Sequence, residues 1–324
     1  MVPAVNTAVI VNPRSGGGKT GKKWPQIAKA LTERLGKIEV RFTGHPGHAI
    51  SLARELLEQG YDRIIAAGGD GTINEVVNGF LRDGVPIRPS ACLGILPLGT
   101  GGDFRRTLGI SKRLSEALDV LAAGVPLEID VGEARFTGRD GSTQTRYFIN
   151  LVSFGMGGDV ASRAKNFLNP LGGAISFLWA SAVSLLRFRR QQVRLKLDGA
   201  KEFIPFWIYN IAVGNGRFHG GGMQACPTAI LNDGIFEITV IDYMGMLEVL
   251  LDFPVLYSDN VYRHPKVRHL RAKRMLAEAS DTVRIEVDGE PLGSLPLEIT
   301  VLPKRLPVLV PPSSSQWGMP PACP

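Results

Sequence analysis

A chain of 324 residues, 44% hydrophobic and 21% charged, has ordinary values for a soluble globular protein and is long enough for two domains. A net charge of +7 favours an anionic partner, whether nucleotide, nucleic acid or acidic membrane surface, without choosing among them. Cys92, Cys226 and Cys323 are few and lack metal-ligand spacing, which excludes a disulfide framework and a zinc site and implies a reducing compartment.

Residues 7–11 form a first apolar run, ending in Asn12-Pro13-Arg14-Ser15-Gly16-Gly17-Gly18-Lys19, a glycine-rich loop with basic residues. Trp24, Ile27, Leu31 and Leu35 then mark one helix face. Residues 38–43 read as a strand with Glu39 and Arg41 outward, ending in Thr43-Gly44-His45. Ala49, Leu52, Ala53, Leu56 and Leu57 mark a second helix. Residues 64–67 are a buried strand leading into Gly68-Gly69-Asp70-Gly71-Thr72. After it, Ile73, Val76, Val77 and Phe80 fall on one helix face, and the spacing of Thr72 and Glu75 predicts a capping box with the helix starting at Thr72. A further strand, 91–96, precedes Pro97-Leu98-Gly99-Thr100-Gly101-Gly102-Asp103-Phe104, and a helix is expected over 114–123. Alternating strands and helices predict a mostly parallel sheet, so the loops 12–19, 43–45, 68–71 and 97–103 should meet in one crevice beyond its carboxyl edge.

After residue 127 the pattern turns to strands: 128–136, 146–154, 192–197, 203–214, 235–242 and 283–287. Between them lie Asp198-Gly199, Asn232-Asp233-Gly234 and Asp288-Gly289. This predicts a mainly antiparallel β-sandwich with one helical excursion over 159–190. The expected domains are 1–127, 128–303 and a proline- and serine-rich tail, 304–324.

The centre of the chain is the 64–80 unit. Strand, glycine loop and helix N-terminus make a phosphate site from free N–H groups and the helix dipole. It lacks the terminal Gly-Lys-Ser/Thr of a Walker A loop, and Asp70 stands where a dinucleotide loop needs neutral backbone. Asp70 therefore holds Mg²⁺, accepts a proton from an attacking hydroxyl, or only caps the helix. Arg14 and Lys19 supply positive field, and Asp103 is either a second Mg²⁺ ligand or a helix cap. Asp233 and Asp288 sit in Asp-Gly turns, where aspartate is also favoured for local reasons.

The segments Val11-Asn12-Pro13-Arg14-Ser15-Gly16, Gly68 to Glu75 and Pro97 to Phe104 resemble the lipid kinase family of diacylglycerol and sphingosine kinases, in its soluble bacterial diacylglycerol kinase-like branch. Gly214-Asn215-Gly216, Leu231-Asn232-Asp233-Gly234 and Asp288-Gly289-Glu290-Pro291 extend the resemblance to about residue 303. Where that family usually has asparagine before Asp103, this chain has Gly102. The resemblance implies an α/β nucleotide-binding domain of NAD kinase/phosphofructokinase type plus a β-sandwich, with the active site in a cleft. It implies ATP contacts at Asn12, Pro13, Arg14, Ser15, Gly16, Thr43, Gly68, Gly69, Asp70, Gly71, Thr72, Ile73, Asn74 and Thr100. It implies a proton acceptor in the Asp288-Gly289-Glu290 turn, with Glu290 first, and Mg²⁺ held by Asp233 with the main-chain oxygens of Ile230 and Ile235. Diacylglycerol is the leading acceptor. An NAD kinase is weakened by the form of residues 97–104. A non-catalytic nucleotide or lipid sensor is weakened by Asp70, Asp103 and the Asp288-Gly289-Glu290 turn.

No basic segment followed by a long apolar run opens the chain, so no secretory signal is read and a cytoplasmic location is expected. The apolar run 174–186, followed by Arg187, Arg189 and Arg190, is shorter than the ~20 residues of a membrane span. Within 167–186 lies either a lipid entrance, a surface lying on the bilayer, or a buried helix. Arg263, Lys266, Arg268, Arg271, Lys273 and Arg274 form a basic cluster that suits peripheral contact with an anionic inner membrane surface, or is simply solvated. No nucleic-acid motif accompanies this charge, so nucleic acid is not an expected partner; a homodimer is compatible.

Overall fold

The computed structural model describes residues 5–159, 190–245, 248, 255, 258 and 260–312. The chain divides into two compact units, Met1–Ile129 with Lys304–Pro324, and Asp130–Pro303.

The first unit is built on parallel strands β1 (Thr7–Val11), β2 (Ile38–Phe42), β3 (Arg63–Gly68) and β6 (Cys92–Pro97), in the order β2-β1-β3-β6. Between them run α1 (Lys19–Leu35), α2 (His48–Glu58) and α3 (Asp70–Phe80), and a small hairpin of β4 (Leu81–Arg82) and β5 (Val85–Pro86). The short α4 (Asp103–Thr107) and α5 (Leu114–Ala123) follow. All five residues of β1 are buried, as expected of a central parallel strand covered on both faces. The apolar helix stripes point inward as predicted: Trp24, Ile27 and Leu31 on α1, and Ala49, Leu52, Ala53, Leu56 and Leu57 on α2, are buried. Helices α2 and α3 approach closely at Gly79, where a Cβ would lie 2.5 Å from Ala53 Cβ and 2.6 Å from the Ile50 carbonyl oxygen.

The second unit is mainly antiparallel. Its strands are β7 (Val125–Gly138, entering from the first unit), β8 (Thr143–Phe148), β9 (Leu151–Gly155), β10 (Gln191–Leu197), β11 (Ile204–Gly214), β12 (Phe236–Asp242), β13 (Val267–Ala272), β14 (Arg274–Glu278), β15 (Arg284–Val287) and β16 (Glu290–Val310). Two long strands change partners along their length. The start of β11 pairs with β10, and its end pairs with β12 on one side and β9 on the other. Likewise β16 pairs first with β15 and then with β14. One hydrogen-bonded network thus folds over a shared core containing Phe148, Phe154, Ile211, Phe236, Ile238, Ile285 and Leu297.

Four expectations are corrected. The helix predicted from Thr72 begins at Asp70, and Glu75 caps a different helix. Its carboxylate accepts the N–H groups of Gly47 (2.8 Å) and Ala49 (3.2 Å) at the start of α2. The strand expected over 146–154 breaks at Ile149-Asn150, whose N–H groups turn to the Asp288 carboxylate. The basic cluster contains two strands, β13 and β14, hidden from a pattern reading by their arginines. Residues 304–310, assigned to a tail, are the end of β16. Leu306, Val308, Leu309 and Val310 are buried, and Val308 pairs in parallel with Leu93 of β6. The helical excursion expected at 159–190 lies, but for its two end residues, outside the described residues.

Replacing Glu75 by alanine strips two N–H groups of α2 of their acceptor. The expected loss is ~0.5–2 kcal/mol, the usual range for a lost cap, read as a lower urea midpoint; Glu75→Gln should lose less, because one amide oxygen remains.

Candidate active site

Three glycine-bearing loops meet at the carboxyl ends of β1, β3 and β6. The Gly68 carbonyl accepts the N–H groups of both Leu98 (2.8 Å) and Gly99 (3.0 Å). A Cβ on Gly99 would lie 2.4 Å from Gly69 Cα, and one on Gly16 would lie 2.9 Å from the Leu98 carbonyl oxygen. Asn12 donates from Nδ2 to Thr72 Oγ1 (3.0 Å) and accepts the Arg14 N–H at Oδ1 (3.0 Å). Thr43 is tied to the same edge through its N–H on the Val11 carbonyl (2.9 Å). The loops read from sequence as phosphate cradles are therefore one connected surface.

The glycine constraint sits beside Gly69 rather than on it. Gly69 has φ −97°, open to any residue, and a Cβ there would meet only Gly99 Cα at 3.4 Å and Ser15 Oγ at 3.9 Å. A Cβ on Gly68 would lie 2.5 Å from Thr72 Oγ1. Gly16, Gly17 and Gly18 all adopt left-handed angles, which is why that turn is glycine throughout. Ile73 and Asn74 are buried, and Asn78 donates to the Asn74 carbonyl and side-chain oxygens (2.8 and 3.2 Å). The first turn of α3, with Asp70, Gly71 and Thr72, is what faces the loops. Pro13, Ser15 and Gly16 are partly buried, whereas Arg14, Lys19 and Thr100 are exposed.

Asp70 accepts the Gly102 N–H at Oδ2 (2.7 Å), while its Oδ1 is buried without a hydrogen bond. Burial raises its pKa. The Gly102 N–H opposes that rise, the neighbouring charge of Asp103 adds to it, and the N–H groups of Phe104 and Asp103 oppose it further. A buried carboxylate oxygen with no donor fits a cation carried in with phosphate. Around it stand basic residues that motif reading passed over. Arg106 donates to Asp103 Oδ1 (2.5 Å) and the Gly101 carbonyl (3.1 Å), Arg105 to the Ile110 carbonyl (2.9 Å), and Lys112 to the Thr100 carbonyl (3.1 Å). Desolvation lowers the pKa of both Arg105 and Lys112, and adjacent positive charge lowers it further.

In the second unit Asp288 and Gly289 form the two-residue turn between β15 and β16, with φ of 48° and 83°. The Asp288 carboxylate accepts three N–H groups: Ile149 at 3.2 Å, Asn150 at 3.1 Å and Leu151 at 2.9 Å. It locks the β8–β9 connection, so its part is structural. Glu290, partly buried at the start of β16, is the more accessible acid of the turn. Beside this turn Asn150 donates to the Phe218 carbonyl (2.9 Å), and Asn215 donates to the carbonyls of Asp130 (2.9 Å) and Ile149 (3.1 Å). Glu286, almost fully buried, receives the Ser153 hydroxyl (2.5 Å) and lies 2.6 Å from His219 Nε2. An acid at an inward position of a strand was the available signal for Glu286; nothing marked its partners.

Asp233 is held by protein rather than presented to a cation. Arg271 donates to Oδ2 (2.8 Å) and the Ile235 N–H to Oδ1 (3.2 Å), and the same arginine reaches buried Glu237 (2.9 Å). Both Asp233 carboxylate oxygens are thus engaged by protein donors in this structure. Among the described residues no group of three or more His, Cys, Asp or Glu side chains is placed to hold a metal. The basic cluster is also largely paired: Lys266 with Glu248, Arg268 with Asp242, Arg271 with Asp233, and Arg274 with Glu298. No helix among the described residues is long and apolar enough to cross a membrane.

Residues 6–134 match the diacylglycerol kinase catalytic domain, and residues 150–310 match the YegS C-terminal NAD kinase beta sandwich-like domain. A protein of Chromohalobacter salexigens named "Probable lipid kinase YegS-like" is 31% identical over 317 residues, covering 96% of this chain and 94% of its own. A "Diacylglycerol kinase" of Staphylococcus saprophyticus is 29% identical over 303 residues, 94% of each chain. The crystal structure of a diacylglycerol kinase from Bacillus anthracis superposes with a TM-score of 0.71 at 23% identity, covering 97% and 99% of the two chains. A yeast NADH kinase gives a TM-score of 0.50 at 14% identity, covering 95% of this chain and 83% of that one. At these identities the two structures speak for the fold: an α/β catalytic domain followed by an NAD kinase-like β-sandwich.

Two outcomes follow from the carboxylates. Asp288→Asn keeps the turn geometry but removes the charge from three hydrogen bonds, so it should destabilise by ~1–3 kcal/mol in urea denaturation. Asp70 has a folded pKa above its ordinary value of 3.8. Its ionisation therefore opposes folding: the opposition is absent below the unfolded pKa and grows as pH rises through the folded one. Without ligand, Asp70→Asn should match the wild type in acid and be the more stable at neutral pH, as read by thermal melts across pH.

Proposed function

Because the chain belongs to the diacylglycerol kinase and YegS-like lipid kinase family, and is thus a phosphotransferase acting on an alcohol group, we propose that it transfers the γ-phosphoryl group of ATP to a hydroxyl of a diacylglycerol-like lipid. The observation that carries this reading is the convergence of the 12–18, 68–71 and 97–103 loops around a buried carboxylate oxygen without a partner. Phosphoryl transfer needs positioning and neutralisation of spreading negative charge more than covalent chemistry. The N–H groups of the loops and of the first turn of α3 cradle phosphate oxygens, with Arg14 and Lys19 adding positive field. Asp70 would hold the Mg²⁺ that accompanies the nucleotide, and that ion would supply positive charge against the phosphates. Asn12 and Thr72, bonded to each other, fix the spacing of the first two loops.

Proton acceptance falls to Glu290. Glu290 follows the Asp288-Gly289 turn and is less buried than either Asp288 or Glu286. The acceptor is a lipid, and the net charge of +7 suits work at an anionic membrane surface on the cytoplasmic side. The pairing of the 263–274 arginines with neighbouring acids leaves that cluster a lesser share in such contact.

The direct test is transfer of labelled phosphate from ATP to a panel of lipids, with NAD included as acceptor. Label in diacylglycerol is expected; label in NAD alone contradicts the reading. In the same assay Glu290→Gln should lower turnover by roughly 10²–10⁴-fold while leaving ATP affinity nearly unchanged, since the amide keeps the shape and loses the proton acceptor. Turnover close to the wild type would remove Glu290 from the role.

A further inference from the structure

Gly102 and Arg105 share one space. Gly102 precedes α4 with φ +72°, and a Cβ built on it would lie 2.7 Å from Arg105 Nε, 3.1 Å from Cδ and 3.2 Å from Cγ. The missing side chain is thus where the stem of Arg105 runs. One end of the guanidinium is anchored, Nη1 donating to the Ile110 carbonyl at 2.9 Å. Its Nε is buried and has no hydrogen-bond partner. Asp70 presents the complementary defect, a buried Oδ1 without a donor, and its Oδ2 is fixed by the N–H of that same Gly102. Arg105 lies within the electrostatic reach of Arg106, Asp70 and Asp103.

Buried polar atoms in native proteins almost always have partners, and two orphans of opposite character about one glycine point to something that joins them. A direct Arg105–Asp70 ion pair would satisfy both, yet neither atom makes it. A phosphate group with its cation supplies an acceptor for the arginine and a positive partner for the carboxylate together. Arginine suits the first role because its planar fork matches phosphate oxygens. Arg106 and Lys112 are engaged otherwise, bracing the 97–103 loop through its carbonyls and Asp103.

We infer that Arg105 is a phosphate-binding residue of the nucleotide site, admitted to it by the absence of a side chain at Gly102. This rests on the reading of the first-unit loops as an ATP cradle. It adds that part of the positive charge against the phosphates comes from α4 and not from the loops alone.

The test is calorimetric titration of the full chain with ATP, ADP and adenosine, each with Mg²⁺, alongside thermal melting. Arg105→Gln should weaken ATP and ADP by ~10- to 100-fold, the scale of a lost charge-assisted hydrogen bond, and leave adenosine unchanged. Arg105→Lys, which keeps the charge without the fork, should fall between. Gly102→Asn keeps the arginine but places a side chain on its stem. Asparagine tolerates the left-handed backbone, so this variant should fold and mimic Arg105→Gln in ATP affinity. It carries the test if Arg105→Gln melts far below the wild type through loss of the Ile110 anchor. An ATP affinity within about two-fold of wild type in whichever variant folds overturns the assignment, as does an equal loss for adenosine. Failure of the wild type itself to bind ATP would instead bring down the cradle reading, and this inference with it.

Discussion

The first unit depends on how closely two strand ends can approach. The Gly68 carbonyl holds two successive N–H groups of the 97–103 loop, and Gly69 and Gly99 pack backbone against backbone. No side chain fits on Gly99: its Cβ would need to stand 2.4 Å from Gly69 Cα. That contact sets the spacing of the β3 and β6 loops, and Gly16 on the Leu98 carbonyl brings in the third. Parallel strands give the loops a common edge, and glycine lets them touch.

Among Asp288, Glu286, Asp233, Glu237 and Asp70, four hold the fold and one does not. Asp288 is surrounded by N–H donors and locks a turn; Glu286 is enclosed by Ser153 and His219; Asp233 and Glu237 share Arg271. Each is buried or half-buried and each is compensated. Asp70 alone among these keeps a buried oxygen without a donor, and burial raises its pKa. An incompletely satisfied charge is costly in the free protein and useful when a cation and phosphate complete it. On the function proposed above, that asymmetry makes Asp70 the acid kept for the ligand.

Much of this was legible in the sequence, for local reasons. Short apolar runs followed by glycine clusters gave the strands and loops of the first unit, and the 3.6-residue spacing of Trp24, Ile27 and Leu31 gave a helix face that is indeed buried. The misses have one physical source, partners far apart in the chain. Thr72 and Glu75 have the spacing of a capping box, but Glu75 reaches the start of α2, 26 and 28 residues away. Strands β13 and β14 carry arginines paired with acids of other segments, a pattern that reads locally as a solvated basic run. The end of β16 looks like the start of a tail because only its pairing with Leu93 makes Val308 a core residue. Arg105 and the Ser153–Glu286–His219 group carry no motif and emerge only from geometry.

The central claim is that the 12–18, 68–71 and 97–103 loops form a single phosphate cradle around Asp70. Hydrogen exchange of backbone amides, followed by mass spectrometry with and without ATP and Mg²⁺, measures it directly. The account predicts slower exchange in all three loops together, with the first turn of α3, and the same protection from ADP but not from adenosine. Unchanged exchange in these loops at saturating ATP, or protection confined to one of them, would contradict it.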